Sequence, residues 1–222
     1  MKTSNTVESG SGLLLDIMHP SVTQIALTDV VHALAMTPRF LGAVNTRYSI
    51  GQHLLLMWDL IRARVLCPEQ MFLKYFVSRS HIASIGDVPP ALQHVLQIRP
   101  TLMRVVSKLH ECLEKHIQGA YGVPISVFAI LSKDADEYLQ MLRQIVRAYE
   151  AFHLLQSGGW SMRVEPKQLV DFSKLLWESS QFRFDFGQPP ALMEEREVQA
   201  RLITRVTACC TALAPHEERA RA

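Results

Sequence analysis

From Leu13 onward, apolar residues recur at spacings of three and four nearly everywhere, and no Val/Ile/Thr alternation bounded by turn residues competes with them. That periodicity predicts an all-α protein. Of the 222 residues 48% are hydrophobic and 20% charged, which supplies one substantial core, so one domain with an extension fits better than two domains. Every long hydrophobic stretch is interrupted by Arg, Lys, Asp or Glu before the roughly 18 residues that a membrane span needs.

Residues 1–12 are polar and rich in Ser, Thr and Gly, which predicts a loose leader. A short helix opens at Thr28-Asp29 and ends before Pro38, because proline disfavours the helical conformation of its predecessor. Ser49-Ile50-Gly51-Gln52 fits a capping box ahead of the stripe Leu54, Met57, Ile61 and Val65. A third helix follows Pro68 and runs to about Ile85, where Gly86-Asp87-Val88-Pro89-Pro90 breaks it. A fourth starts at Pro100-Thr101 and stops near Gly119 and Gly122. Residues 124–154 read as one broken helix or two, with Asp134, Asp136 and Glu137 marking a fresh start, and Gly158-Gly159 ends the unit. The domain thus spans 13–154. The extension, 155–222, carries helical stripes at 167–180 and 190–213, with Pro190 suited to a first turn, and it packs back on the main domain or onto a partner.

Several classes of function are excluded or disfavoured. Lys and Arg number 23 against 21 Asp and Glu, for a net charge of +2, and they are scattered, so nucleic-acid binding lacks support. No P-loop, G-x-G-x-x-G or repeat occurs. Cys67, Cys112, Cys209 and Cys210 form no C-x-x-C motif, and the first residues lack the basic-then-apolar order of a signal peptide, so a reducing cytoplasm is the expected compartment.

Taken singly, the histidines are bland. His110 and His116 are six apart and diverge by roughly 120° around a helix, and His110 with Glu114 at i,i+4 is an ordinary helix-face pair. His53 lies i,i+4 to Met57, which turns its ring toward the apolar side and makes it a core histidine by default. Asp136 suits a helix N-terminus electrostatically, and Cys209-Cys210 read as small buried hydrophobes.

Order along the chain changes that reading. Leu15-Asp16-Ile17-Met18-His19-Pro20, Asp29-Val30-Val31-His32-Ala33-Leu34, Arg39-Phe40-Leu41-Gly42 and Tyr48-Ser49-Ile50-Gly51-Gln52-His53 are followed by Gly86-Asp87-Val88-Pro89, Tyr121-Gly122-Val123-Pro124 and Lys133-Asp134-Ala135-Asp136. Over Leu13 to Val146 this resembles the bacterial and phage HD-domain nucleotide phosphohydrolases, the group that includes the 5'-deoxynucleotidases. The resemblance implies a helical HD-type fold, a homodimer, and one divalent metal held by a His, an adjacent His-Asp pair and a distant Asp. His53 and Asp136 stand at the first and last of those positions. Ser78 and Arg79 stand at the pair that names the family, and Ile82 replaces the acid that acts on the attacking water.

The replacements remove the chemistry. A serine hydroxyl is a poor substitute for imidazole as a ligand, and a guanidinium has no acceptor and a permanent charge. A +1 charge about 4 Å from a +2 ion costs roughly 8 kcal/mol at an effective dielectric near 20. Isoleucine moves no proton. Relocation onto His81, three residues after Ser78, with His53, Asp136 or Asp87 is the alternative, and would restore a metal-dependent phosphohydrolase. Arg39 and Asp87 match positions that the resemblance puts on the substrate side of the pocket. The expectation is therefore a protein without a catalytic metal or cofactor. It acts by binding a protein partner or a phosphate-bearing ligand, with Arg39, Arg79, His81 and Asp87 as candidate contacts and guanidinium forks in place of the metal.

Overall fold

A computed structural model describes residues 5–63, 65–88, 98–129, 133–155 and 189–215; the helix expected at 167–180 and the breaks at Pro89-Pro90 and Gly158-Gly159 lie outside them. The architecture is all-α, as the apolar spacing predicts. Among the described residues the only strands are β1 (Thr6–Glu8) and β2 (Leu14–Asp16), an antiparallel hairpin. This departs from the loose leader expected over residues 1–12. The small polar residues that argued for disorder instead make local bonds: Ser9 Oγ and Ser11 Oγ donate to Asp29 Oδ2 at 2.7 and 2.5 Å and pin the hairpin loop to the first helix.

Helix α1 (Leu27–Met36) stops at Thr37, ahead of Pro38. Helix α2 (Ile50–Arg62) begins on the expected capping box: the Gln52 amide donates to Ser49 Oγ at 3.2 Å, and the Ser49 amide donates to Gln52 Oε1 at 3.0 Å. Proline opens α3 (Pro68–Ser80), which ends earlier than expected, because the chain turns at His81 before the single helical turn α4 (Ile82–Ile85). Helix α5 (Arg99–Tyr121) closes on Gly122, whose φ of 67° lets its amide reach the Gln118 carbonyl at 2.9 Å. A 3-10 turn at Ile125–Phe128 precedes α6 (Lys133–Leu154), with Asp134 and Asp136 in its first turn. Helix α7 (Glu195–Leu213) starts well after Pro190, which stays outside it.

Helix α2 is the centre of the molecule. It is buried on nearly every side and packs against α1, α3, α6 and α7. Its Gly51 permits a close approach of two neighbours, since a Cβ there would sit 2.6 Å from Val198 Cγ1 and 3.0 Å from Ala35 Cα. Val198, Leu202, Val206, Cys209 and Cys210 of α7 join the same core, so the C-terminal helix packs back on α1, α2 and α3. Burial pushes the Cys209 and Cys210 thiols up to about 12, in keeping with small hydrophobes rather than ligands. Where α2, α3 and α6 leave the core on the side of Arg39–Gly42, a cleft opens.

Candidate functional site

The cleft has a volume of about 650 Å³. Its floor is a buried polar network around Glu150 of α6, whose side chain has no solvent exposure. Glu150 Oε1 accepts from His53 Nδ1 at 2.7 Å and from the Tyr48 hydroxyl at 2.9 Å, while Oε2 accepts from Arg39 Nε at 2.8 Å. Burial alone would raise the Glu150 pKa, but His53 and Arg39 outweigh it and hold the carboxyl at about 2. Burial first, then the Arg39 charge, lowers His53 to about 4 in spite of Glu150. At neutral pH the arrangement is therefore an anion, a guanidinium and a neutral imidazole.

These charges fix the histidine tautomer. An ionised carboxylate only accepts, so Nδ1 carries the proton and Nε2 is bare. Nε2 then accepts from the Tyr75 hydroxyl of α3 at 2.7 Å, and both ring nitrogens are in use. The Arg143 and Arg79 guanidinium carbons lie 5.7 and 5.5 Å from the Tyr75 ring centroid, so two cations share one phenol ring. Burial, then Arg79, and also Arg39 lower the Arg143 pKa, the mark of crowded like charges. Arg79 Nε is buried without a hydrogen-bond partner. Arg147, one turn beyond Arg143, adds another positive charge to the wall.

The rim carries strain. Phe40 and Leu41 line the cleft with φ of 53° and 56°, a left-handed conformation that costs a non-glycine residue roughly 1–2 kcal/mol. The surroundings hold it. The Arg39 amide donates to the Tyr48 carbonyl at 2.9 Å, the Asn45 amide to the Leu154 carbonyl at 3.0 Å, and Pro38 bridges to Ser49. The bend delivers Arg39 to Glu150.

The sequence-derived candidates divide. Arg39, His53, Arg79, His81 and Asp87 all line the cleft. Ser78 does not: its hydroxyl donates to the Tyr75 carbonyl in its own helix at 2.7 Å. Ile82 is buried in the core at 3% exposure, and Asp136, half-buried in the first turn of α6, is not among the residues that line the cleft. His81 Nδ1 sits 3.1 Å from His110 Nε2. Both rings are depressed to about 4, by burial and then by Arg79 for His81, and by burial, His81 and Arg79 for His110.

A divalent metal does not fit these residues. The His53 nitrogen that would face it is capped by a phenol, the neighbouring guanidiniums repel a cation, and Asp136 is not among the cleft-lining residues. Among the described residues no three His, Cys, Asp or Glu side chains gather as a ligand set, and the relocated combination of His53, His81, Asp87 and Asp136 is not assembled.

Glu150, Tyr48, Tyr75, Arg143 and Arg147 were not singled out by sequence. Arg143 and Arg147 with Gln140 and Gln144 make a polar stripe that looks like any solvated helix face, and Tyr75 looks like part of the α3 core stripe. The one available signal was Arg79 one turn after Tyr75. No family model and no curated protein sequence matches this chain.

Proposed function

We propose that this chain is a degenerate HD-like protein that binds a phosphate-bearing small molecule in the cleft, with guanidinium groups standing where the family keeps its divalent ion. The observation that carries the reading is the pair Arg79 and Arg143, both within 6 Å of the ring centroid of Tyr75, whose hydroxyl caps His53 Nε2. Glu150 is already paired with Arg39, so Arg79, Arg143 and Arg147 face the cleft with Asp87 as the acid on its wall. A phosphate supplies both the missing negative charge and acceptors for planar guanidinium forks. A concave space of this size suits a small ligand better than a protein surface. With Ser78, Arg79 and Ile82 at the family's working positions, HD-type hydrolysis is absent, and the protein acts by binding, in a regulatory or inhibitory capacity.

Calorimetry with inorganic phosphate and with deoxynucleoside monophosphates, in chelator, tests this. Binding is expected without metal, and R79A or R143A should weaken it at least tenfold, the equivalent of one charged hydrogen bond of roughly 1.5–3 kcal/mol. No binding with or without divalent ions removes the proposal. About one Mn, Co, Zn or Fe per purified chain also removes it, and favours the metal-dependent alternative.

A further inference from the structure

The Glu150 carboxylate, the His53 ring and the Tyr75 hydroxyl form a continuous chain, with 2.7 Å at each step, and the chain ends at a cleft lined with guanidiniums. The order of donors is set: Nδ1 donates to Glu150, and the phenol donates to the bare Nε2. This is an oxygen nucleophile, a base to take its proton, and a carboxylate that orients the base. Other hydroxyls nearby are spent elsewhere. Ser78 Oγ donates to its own helix, and the Tyr48 hydroxyl donates to Glu150.

Resting on the phosphate-binding site above but going beyond its binding-only role, we infer that Tyr75 is a metal-independent nucleophile toward phosphomonoesters, and takes the phosphoryl group onto its own oxygen. Arg79 and Arg143, with guanidinium carbons 5.5 and 5.7 Å from the ring centroid, supply positive charge beside the phenol for an attacked phosphoryl group. In the step, Tyr75 Oη bonds to phosphorus as the ester P–O bond breaks, and the electron pair of that bond leaves on the ester oxygen. The phenol proton moves to His53 Nε2, and the departing oxygen, on the far side of phosphorus, takes its proton from solvent water. Glu150 stabilises the transient imidazolium and acts as a positioning residue. Water attacking the phosphotyrosine from the far side in a second displacement returns phosphate and releases its proton to solvent, while His53 gives its proton back to the departing phenol oxygen. The family's metal chemistry plays no part in either displacement.

The test mixes full-length protein, in chelator, with excess 4-nitrophenyl phosphate, quenches rapidly in acid, and follows nitrophenol release alongside mass spectrometry of the tryptic peptide Tyr75–Arg79. The expected result is a burst of about one nitrophenol per chain and one phosphoryl group on Tyr75, with both lost in Y75F. Calorimetry with inorganic phosphate is run on the same sample. Phosphate binding with no phosphoryl group on Tyr75, or with one on Ser78, overturns the nucleophile and leaves the binding site standing. Absence of both binding and adduct overturns the two together. The wild-type adduct is decisive even where Y75F folds poorly.

Discussion

Glu150 Oε1 and His53 Nδ1 lie 2.7 Å apart although 97 residues separate them, and neither side chain reaches solvent appreciably. The contact joins α6 to α2 and orients everything above it. Because Arg39 and Tyr48 also donate to Glu150, replacing the carboxylate leaves a buried cation and two buried donors unpaired. E150A is expected to lose about 3–5 kcal/mol of stability, read from urea denaturation followed by circular dichroism. A loss under 1 kcal/mol contradicts the network.

Acid should weaken the fold before carboxylates in general titrate. His53, His81 and His110 are each depressed to about 4, so between pH 6.5 and 4 the unfolded chain binds protons that the folded chain refuses. Stability is then full above the unfolded value and falls as pH drops, by up to about 1.4 kcal/mol per pH unit for each histidine. Glu150, held at about 2, extends the loss in the same direction at lower pH, from its unfolded range near 4.5 downward. Urea midpoints at pH 7, 6 and 5 check the sign; a flat profile contradicts buried neutral imidazoles.

Removing one of the crowded cations should spare or help the empty protein. R143Q relieves repulsion from Arg79 and Arg39, so its thermal midpoint is expected to match or exceed that of the parent. Phosphate affinity falls at least tenfold in the same variant. A clear drop in midpoint would mean that Arg143 is held for structure.

Gly51 is a packing constraint unrelated to the cleft. A methyl group there meets Val198 Cγ1 and the Ala35 backbone, and α1 cannot give way as a flexible side chain would. G51A is expected to cost roughly 1–3 kcal/mol in chemical denaturation with the α-helical spectrum retained.

Local rules read most of the fold. Pro38, the Ser49–Gln52 box, Pro68 and Gly122 each act within a few residues, and each set its helix boundary close to where the sequence put it. The hairpin was missed because its stability comes from Asp29, which lies 18 and 20 residues from its serine partners. In the cleft, Arg39, His53, Arg79 and Asp87 were reached through a resemblance in motif order, and His81 through its spacing of three residues from Ser78. Glu150 was not, since nothing around it in α6 announces that its partners are Arg39, Tyr48 and His53. A buried acid is recognisable only once its distant donors are known.

The position of α7 bears on how the chain is made. Its residues 195–213 seal α1, α2 and α3, whose apolar faces are all synthesised more than a hundred residues earlier. On the ribosome those faces must stay unsealed until α7 emerges, so nascent chains of this protein should depend on holdase chaperones over the more than one hundred residues between α3 and α7.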